Sequence, residues 1–187
     1  MLQSEMVDLI RAGIHPADRT WADLGCGTGN FTLALRQLLD PAATIYAFDR
    51  DRRAVDTLRE RARHDPAAAR IVAQQADVLQ RFALPNVDGI LMANLLHFLR
   101  DQRSFLATIA AWIVPGGRLL IVEYDQQTVI PWVPFPVDFA RLHTLATDAG
   151  LPAPRQIGYR RSPSSGQGMY AALMTFTPSQ HDPDAIA

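Results

Sequence analysis

At 187 residues, with 48% hydrophobic residues and a formal net charge of −1, the chain has the size and composition of one ordinary globular domain. A domain of this length buries roughly 70% of its unfolded surface, enough for a core without staples, and the single cysteine excludes a disulfide framework or a thiolate zinc cluster. No apolar run approaches the ~18 residues of a membrane span, the N-terminus lacks a secretory pattern, and near-zero charge disfavours bulk nucleic acid as a partner, so a soluble, cytoplasmic protein is expected.

In chain order, a short helix fits Gln3 to Ala12, stopped by Gly13, and Trp21 to Leu24 reads as a first strand. A helix follows from about Gly29 to Leu39, with Phe31, Ala34, Leu35 and Leu38 at helical spacing and Pro41 beyond its end. Thr44 to Phe48 is β-branched and aromatic, hence the second strand. Asp51 to His64 forms a helix that buries Val55, Leu58 and Ala62 and exposes five arginines beside Asp56 and Glu60, the pattern of a solvated flank with ion pairs.

Arg70 to Gln74 and Val87 to Ala93 are the third and fourth strands, and Asp101 to Ile113 is a helix burying Phe105, Ile109 and Trp112. Pro115-Gly116-Gly117 is read as a turn before the fifth strand, Arg118 to Tyr124. Val137 to Ala149 is a helix stopped by Gly150, and Gln156 to Arg160 and Met169 to Thr177 are two last strands joined by SPSSGQG. Such a short joint lets them pair antiparallel. The sum is seven strands and about six helices in one domain over residues 1–177, with a polar tail, 178–187, expected to be disordered. Strands alternating with helices predict an α/β fold with a mostly parallel sheet and helices on both faces.

The segment Asp23-Leu24-Gly25-Cys26-Gly27-Thr28-Gly29-Asn30 joins the first strand to the following helix, the context in which a glycine loop holds a ligand against bare backbone. A dinucleotide fingerprint reads G-x-G-x-x-G and offers a helix N-terminus to a pyrophosphate. Here the spacing is G-x-G-x-G with Asp23 just ahead of it. A carboxylate so placed repels a diphosphate and suits a ligand bearing an ammonium group, which disfavours a nicotinamide oxidoreductase. Asp49, ending the second strand 20 residues after Gly29, is positioned to hold ribose hydroxyls. Cys26 fits the loop as a small residue, and nothing near it predicts a reactive thiol.

The run DLGCGTGNF, followed by AFDRD, QQADVL and IVPGGRLLIVEY, resembles the class I S-adenosylmethionine-dependent methyltransferases over roughly Ile10 to Glu123. The resemblance implies a Rossmann-like, three-layer fold whose seven-stranded sheet has an antiparallel last strand. It implies S-adenosylmethionine as cofactor, and no metal site is expected. Gly25, Cys26 and Gly27 would line its methionine part, Asp23 would lie near its amino group, Asp49 would bind the ribose, and Arg50 would border the adenine. Asp77 and Val78 would contact the adenine edge, and Asn94 would face the methionine end.

The acceptor is less legible. Amino-methylating DNA enzymes of this family carry [N/D]-P-P-[Y/F] after the fourth strand, where this chain has Asn94-Leu95-Leu96-His97. His97 is a candidate general base, with local packing as the competing explanation. Glu123, Tyr124 and Asp125 follow the fifth strand on the same ligand edge, where one of them would meet the acceptor or serve as a loop polar group, and Tyr124 is the second candidate catalytic residue. The stretch VIPWVPFP, Val129 to Pro136, offers Trp132 and Phe135 as an apolar wall for an acceptor, or as a loop sealing the core. The expected reaction is methyl transfer to a small-molecule oxygen, nitrogen or carbon by a monomer or homodimer. An RNA or protein methyltransferase and a non-catalytic S-adenosylmethionine-binding module are the alternatives.

Overall fold

The structure, a computed structural model, describes residues 1–63, 68–80, 84–161 and 166–177. The expected tail and most of the serine-rich joint before the last strand lie outside these residues. Among the described residues, seven strands form one sheet: β1 (Thr20–Leu24), β2 (Thr44–Asp49), β3 (Arg70–Gln75), β4 (Val87–Ala93), β5 (Ile113–Tyr124), β6 (Arg155–Arg161) and β7 (Gly168–Thr175). Five α-helices flank it: α1 (Gln3–Ile10), α2 (Asn30–Arg36), α3 (Arg52–Ala62), α4 (Gln102–Ala110) and α5 (Phe139–Asp148). Single 3-10 turns at Arg11–Gly13 and Leu96–Phe98 complete the count, in place of a sixth helix.

The sheet order is β3-β2-β1-β4-β5-β7-β6, and only β7 runs antiparallel, to both β5 and β6. The chain leaves β1 toward β2 and returns to β4 on the other side. The switch point therefore lies between β1 and β4, where the carboxyl ends of parallel strands leave a crevice. Strand alternation divides the core. Trp21, Ile45, Leu91 and Leu120 pack with α1 and α2 through Met6, Ile10, Ala34 and Leu35. Ala47 and Ala73 extend that face beneath Val55 and Leu58 of α3. On the opposite face Leu24, Ile90, Met92 and Ile121 meet Phe105, Leu106 and Ile109 of α4 and Leu142 of α5.

Capping explains the helix starts: Asp51, Asp101 and Asp138 each accept a backbone N–H from the first turn. Three expectations change. Pro115-Gly116-Gly117 does not form a turn outside the sheet but lies within β5, which begins at Ile113. Gly116 takes φ 84°, and the register with β4 shifts between Val87 and Gly89, so the glycines make a bulge in a continuous strand. Trp112 consequently follows the end of α4 and is only partly buried. The α3 arginines pair largely at i,i+3: Arg59 with Asp56 and Arg63 with Glu60, with Arg52–Asp56 at i,i+4. Among the described residues, no helix is long and apolar enough to cross a membrane.

Candidate cofactor and acceptor site

The loop between β1 and α2 crosses the end of β2, where the N–H groups of Gly25 and Cys26 donate to the Phe48 carbonyl at 2.8 and 3.0 Å. Gly25 has φ 72°, and a β-carbon there would come within 2.8 Å of Leu95 Cδ1. Backbone geometry and packing both demand glycine. Gly27, at φ 52°, faces open space, with nothing within 4 Å of where a β-carbon would stand. Its bare backbone forms the floor of a cavity.

Asp49 locks the loop as well as facing the cavity. One carboxylate oxygen accepts the Gly27 N–H at 2.8 Å and the other accepts the Asp51 N–H at 2.8 Å. A carboxylate has about four lone-pair sites, so room remains for a ligand hydroxyl on each oxygen. A second clasp comes from α3: Arg61 Nη1 donates to the Thr28 carbonyl at 2.7 Å and to Asn30 Oδ1 at 2.9 Å. Strand alternation turns Asp23 to the same face as Trp21, where Thr32 of α2 donates to it at 2.6 Å. Burial pushes the Asp23 carboxyl up to about 7; the Thr32 hydrogen bond opposes that shift and the nearby Asp49 charge adds to it. Burial also pushes the Cys26 thiol up, so it stays protonated and unreactive.

Two cavities meet at Gly25, Asp49, Asn94 and Phe98. The smaller, about 300 Å³, is lined by Arg50, Asp77 and Val78. The larger, about 650 Å³, takes in Asp23, Cys26 and Gly27, and extends past Tyr124 to Met6, Met169 and Arg160. Asn94 marks the junction: it adopts φ 56°, a conformation asparagine tolerates better than most residues, and its Oδ1 is buried without a hydrogen-bond partner. An unsatisfied buried amide oxygen beside a cavity fits a ligand with a donor to give.

The remaining candidates separate. Tyr124 lines the large cavity. His97 does not: it is buried behind Phe98 and Tyr124, with ring centroids 4.2 and 5.8 Å away. Its Nδ1 lies 2.6 Å from Glu123 Oε2, and its backbone N–H donates to Glu123 Oε1 at 3.2 Å. The pair joins the ends of neighbouring β4 and β5, consistent with local packing. Asp125 accepts the Phe139 N–H at 3.2 Å at the start of α5.

Trp132 and Phe135 do not wall the large cavity. Ile130 and Val133 bridge antiparallel, which places Trp132 at the tip of a tight turn, 63% exposed, while Val133 is buried. Phe135 lines a separate hollow with Arg141 and Asp138, and its N–H donates to the His97 carbonyl at 3.0 Å. Sequence reasoning missed Met6 and Met169, because no local pattern links α1 and β7 to the glycine loop; Gln167, in the joint before the last strand, and Arg160 were legible only as residues that an acceptor pocket could border.

The model of a family described as "Methyltransferase domain" matches residues 22–119, from the middle of β1 into β5. The chain belongs to the methyltransferase domain family. As a class I member it has S-adenosylmethionine as its cofactor. The O-methyltransferase cnsE of Penicillium expansum is 28% identical over 121 residues, covering 64% of this chain and 43% of its own. The ribosomal RNA small subunit methyltransferase H of Acinetobacter baumannii is 39% identical over 85 residues, covering 42% and 27%. The chain thus spans less than half the length of either relative. A SAM dependent methyltransferase from Aquifex aeolicus superposes with a TM-score of 0.70 over 93% of each chain at 17% identity, a likeness of fold. The residues present fit the cofactor: the open Gly27 floor, the unpartnered Asn94 oxygen and the two joined cavities would take a ligand with polar and apolar ends.

Proposed function

We propose that this methyltransferase domain carries a methyl group from S-adenosylmethionine to a small-molecule oxygen, nitrogen or carbon, in the cytoplasm. The observation that carries this reading is the continuity of the large cavity, which runs from the glycine loop to a chamber of methionine and aromatic side chains. Gly25, Cys26 and Gly27 would hold the methionine part of the cofactor, with Asp23 against its ammonium. Asp49 would hold the ribose, Arg50, Asp77 and Val78 the adenine, and Asn94 the junction between them. When bound, the cofactor supplies the methyl carbon: the acceptor's lone pair forms the new bond as the carbon–sulfur bond breaks, and that bond's electrons return to sulfur, leaving S-adenosylhomocysteine.

The protein's part is to bind, align and exclude water, and in well-oriented systems such positioning supplies about 7–11 kcal/mol. Of the two candidate bases, Tyr124 borders the chamber; a hydroxyl or amine acceptor can alternatively give its proton to solvent. His97, held by Glu123, acts as a positioning residue for the segment after β4.

A thermal melt with S-adenosylmethionine, S-adenosylhomocysteine and NAD in parallel tests the reading. At a hundredfold excess over the dissociation constant a ligand adds about 2.7 kcal/mol, raising the midpoint by roughly 5–10 °C. A shift with both adenosyl compounds, followed by transfer of labelled methyl to a small-molecule panel, supports it. A shift with NAD alone overturns it. The similarity to a ribosomal RNA methyltransferase favours RNA as the second reading. Affinity for RNA falling steeply with salt would select that acceptor.

A further inference from the structure

We propose that the acceptor is a ring-sized apolar molecule carrying a carboxylate, and that Arg160 binds that carboxylate. The inference rests on the methyl-transfer reading and names the substrate class for the same site. Tyr124 of β5 pairs with Met169 of β7, and Met169 pairs with Arg160 of β6. Directly paired residues point to the same side of a sheet, so the three form a row across the floor of the chamber, and all three line it. The row starts at Tyr124, beside the cofactor end. It finishes two strand spacings away, about 10 Å, at Arg160.

Met6 and Phe31, from α1 and α2, form the facing wall. Methionine and aromatic side chains thus face this end of the cavity, with Gln167 beside them and the Arg160 guanidinium at its limit. Arg160 is the single arginine lining the cavity among the described residues. Its Nη2 pairs with Glu5 of α1, whose other oxygen accepts the Leu2 N–H at 2.5 Å. Glu5 lies outside the chamber, on the far side of Arg160. Among the described residues one of its five guanidinium N–H donors is thereby used, which leaves donors for a second planar partner. The guanidinium matches a carboxylate in shape and in two-point hydrogen bonding. A molecule with a hydroxyl at one end and a carboxylate at the other would span the row, its nucleophile at the Tyr124 end.

The test uses the protein saturated with S-adenosylhomocysteine and, as probes, 4-hydroxybenzoate and 4-hydroxycinnamate, each beside its methyl ester. Binding is read by calorimetry in wild type, Arg160→Gln and Arg160→Lys. The expected result is that at least one acid binds about tenfold or more tightly than its ester, as one charge-assisted hydrogen bond provides. That preference should vanish in Arg160→Gln and partly return in Arg160→Lys, with S-adenosylhomocysteine affinity unchanged in both, which also reports that the variants fold. Equal binding of acid and ester, an acid preference that survives Arg160→Gln, or no binding by any probe overturns the proposal. Failure of S-adenosylhomocysteine itself to bind instead overturns the methyl-transfer reading beneath it.

Discussion

Titrating the affinity for S-adenosylhomocysteine from about pH 5.5 to pH 8.5 isolates the role of Asp23, because burial holds that carboxyl near 7 in the free protein. A cofactor ammonium pairs with the carboxylate and not with the neutral acid. Binding must therefore expel a proton at any pH below about 7, at a cost of about 1.36 kcal/mol, or tenfold in affinity, per pH unit. At about pH 5.5 the dissociation constant should be roughly thirtyfold larger than at its minimum. Above about pH 8 affinity should fall again as the ligand's own α-amino group loses its proton. The same shift acts on stability with a definite sign. A folded pKa raised from the ordinary 3.8 to about 7 contributes stability that is complete below about pH 4 and is lost as the pH rises through 7, by up to about 4 kcal/mol. Asp23→Asn keeps an acceptor for Thr32 and removes the buried charge. It should melt several degrees higher than wild type at about pH 8, bind S-adenosylhomocysteine more weakly there, and lose the acid limb of the profile. Calorimetry gives the affinities and differential scanning fluorimetry the midpoints. An affinity flat across the acid range in wild type, or an acid limb retained in Asp23→Asn, would refute the reasoning.

Asp49→Ala removes the acceptor for both the Gly27 and Asp51 N–H groups. Since Asp49 is partly exposed and water can replace it, the fold should lose only about 1–2 kcal/mol, while S-adenosylhomocysteine affinity drops by about thirtyfold or more through loss of the ribose contacts proposed for it; unchanged affinity would take Asp49 out of the site. Glu123→Ala strands the His97 N–H and Nδ1 in a dry interior and should cost about 3–5 kcal/mol in a denaturant melt. Glu123→Gln, which can still serve both atoms, should cost markedly less, and equal losses from the two substitutions would contradict the hydrogen-bonded pair.

The two halves of the site differ in how they are encoded. The cofactor half is written in contiguous stretches. A buried strand ends at Asp23, three closely spaced glycines follow at once, and Asp49 closes the next strand. Because β1 and β2 are neighbours whose paired residues bring Leu24 opposite Phe48, that local order is enough to set the loop over the aspartate. Apolar spacing placed the helices that start near Asp51 and Asp101, and the structure adds that Asp51, Asp101 and Asp138 cap the first turns, the last helix starting at Phe139 rather than Val137. The chamber beyond Tyr124 had no such signal. Met6, Met169 and Arg160 converge only when β7 inserts antiparallel between β5 and β6 and α1 packs beside α2. Trp132 and Phe135 show the converse. Their apolar character fitted either an acceptor wall or a loop sealing the core, but a tight Ile130–Val133 bridge turned one outward and set the other against a different hollow. His97 and Glu123, 26 residues apart, met because their strands are adjacent. From the sequence alone came the fold class and the glycine loop, whose signals are local periodicity and glycine spacing. Only the tertiary structure decided which side chains end the acceptor chamber, because strand register and helix docking are settled by packing across the whole core.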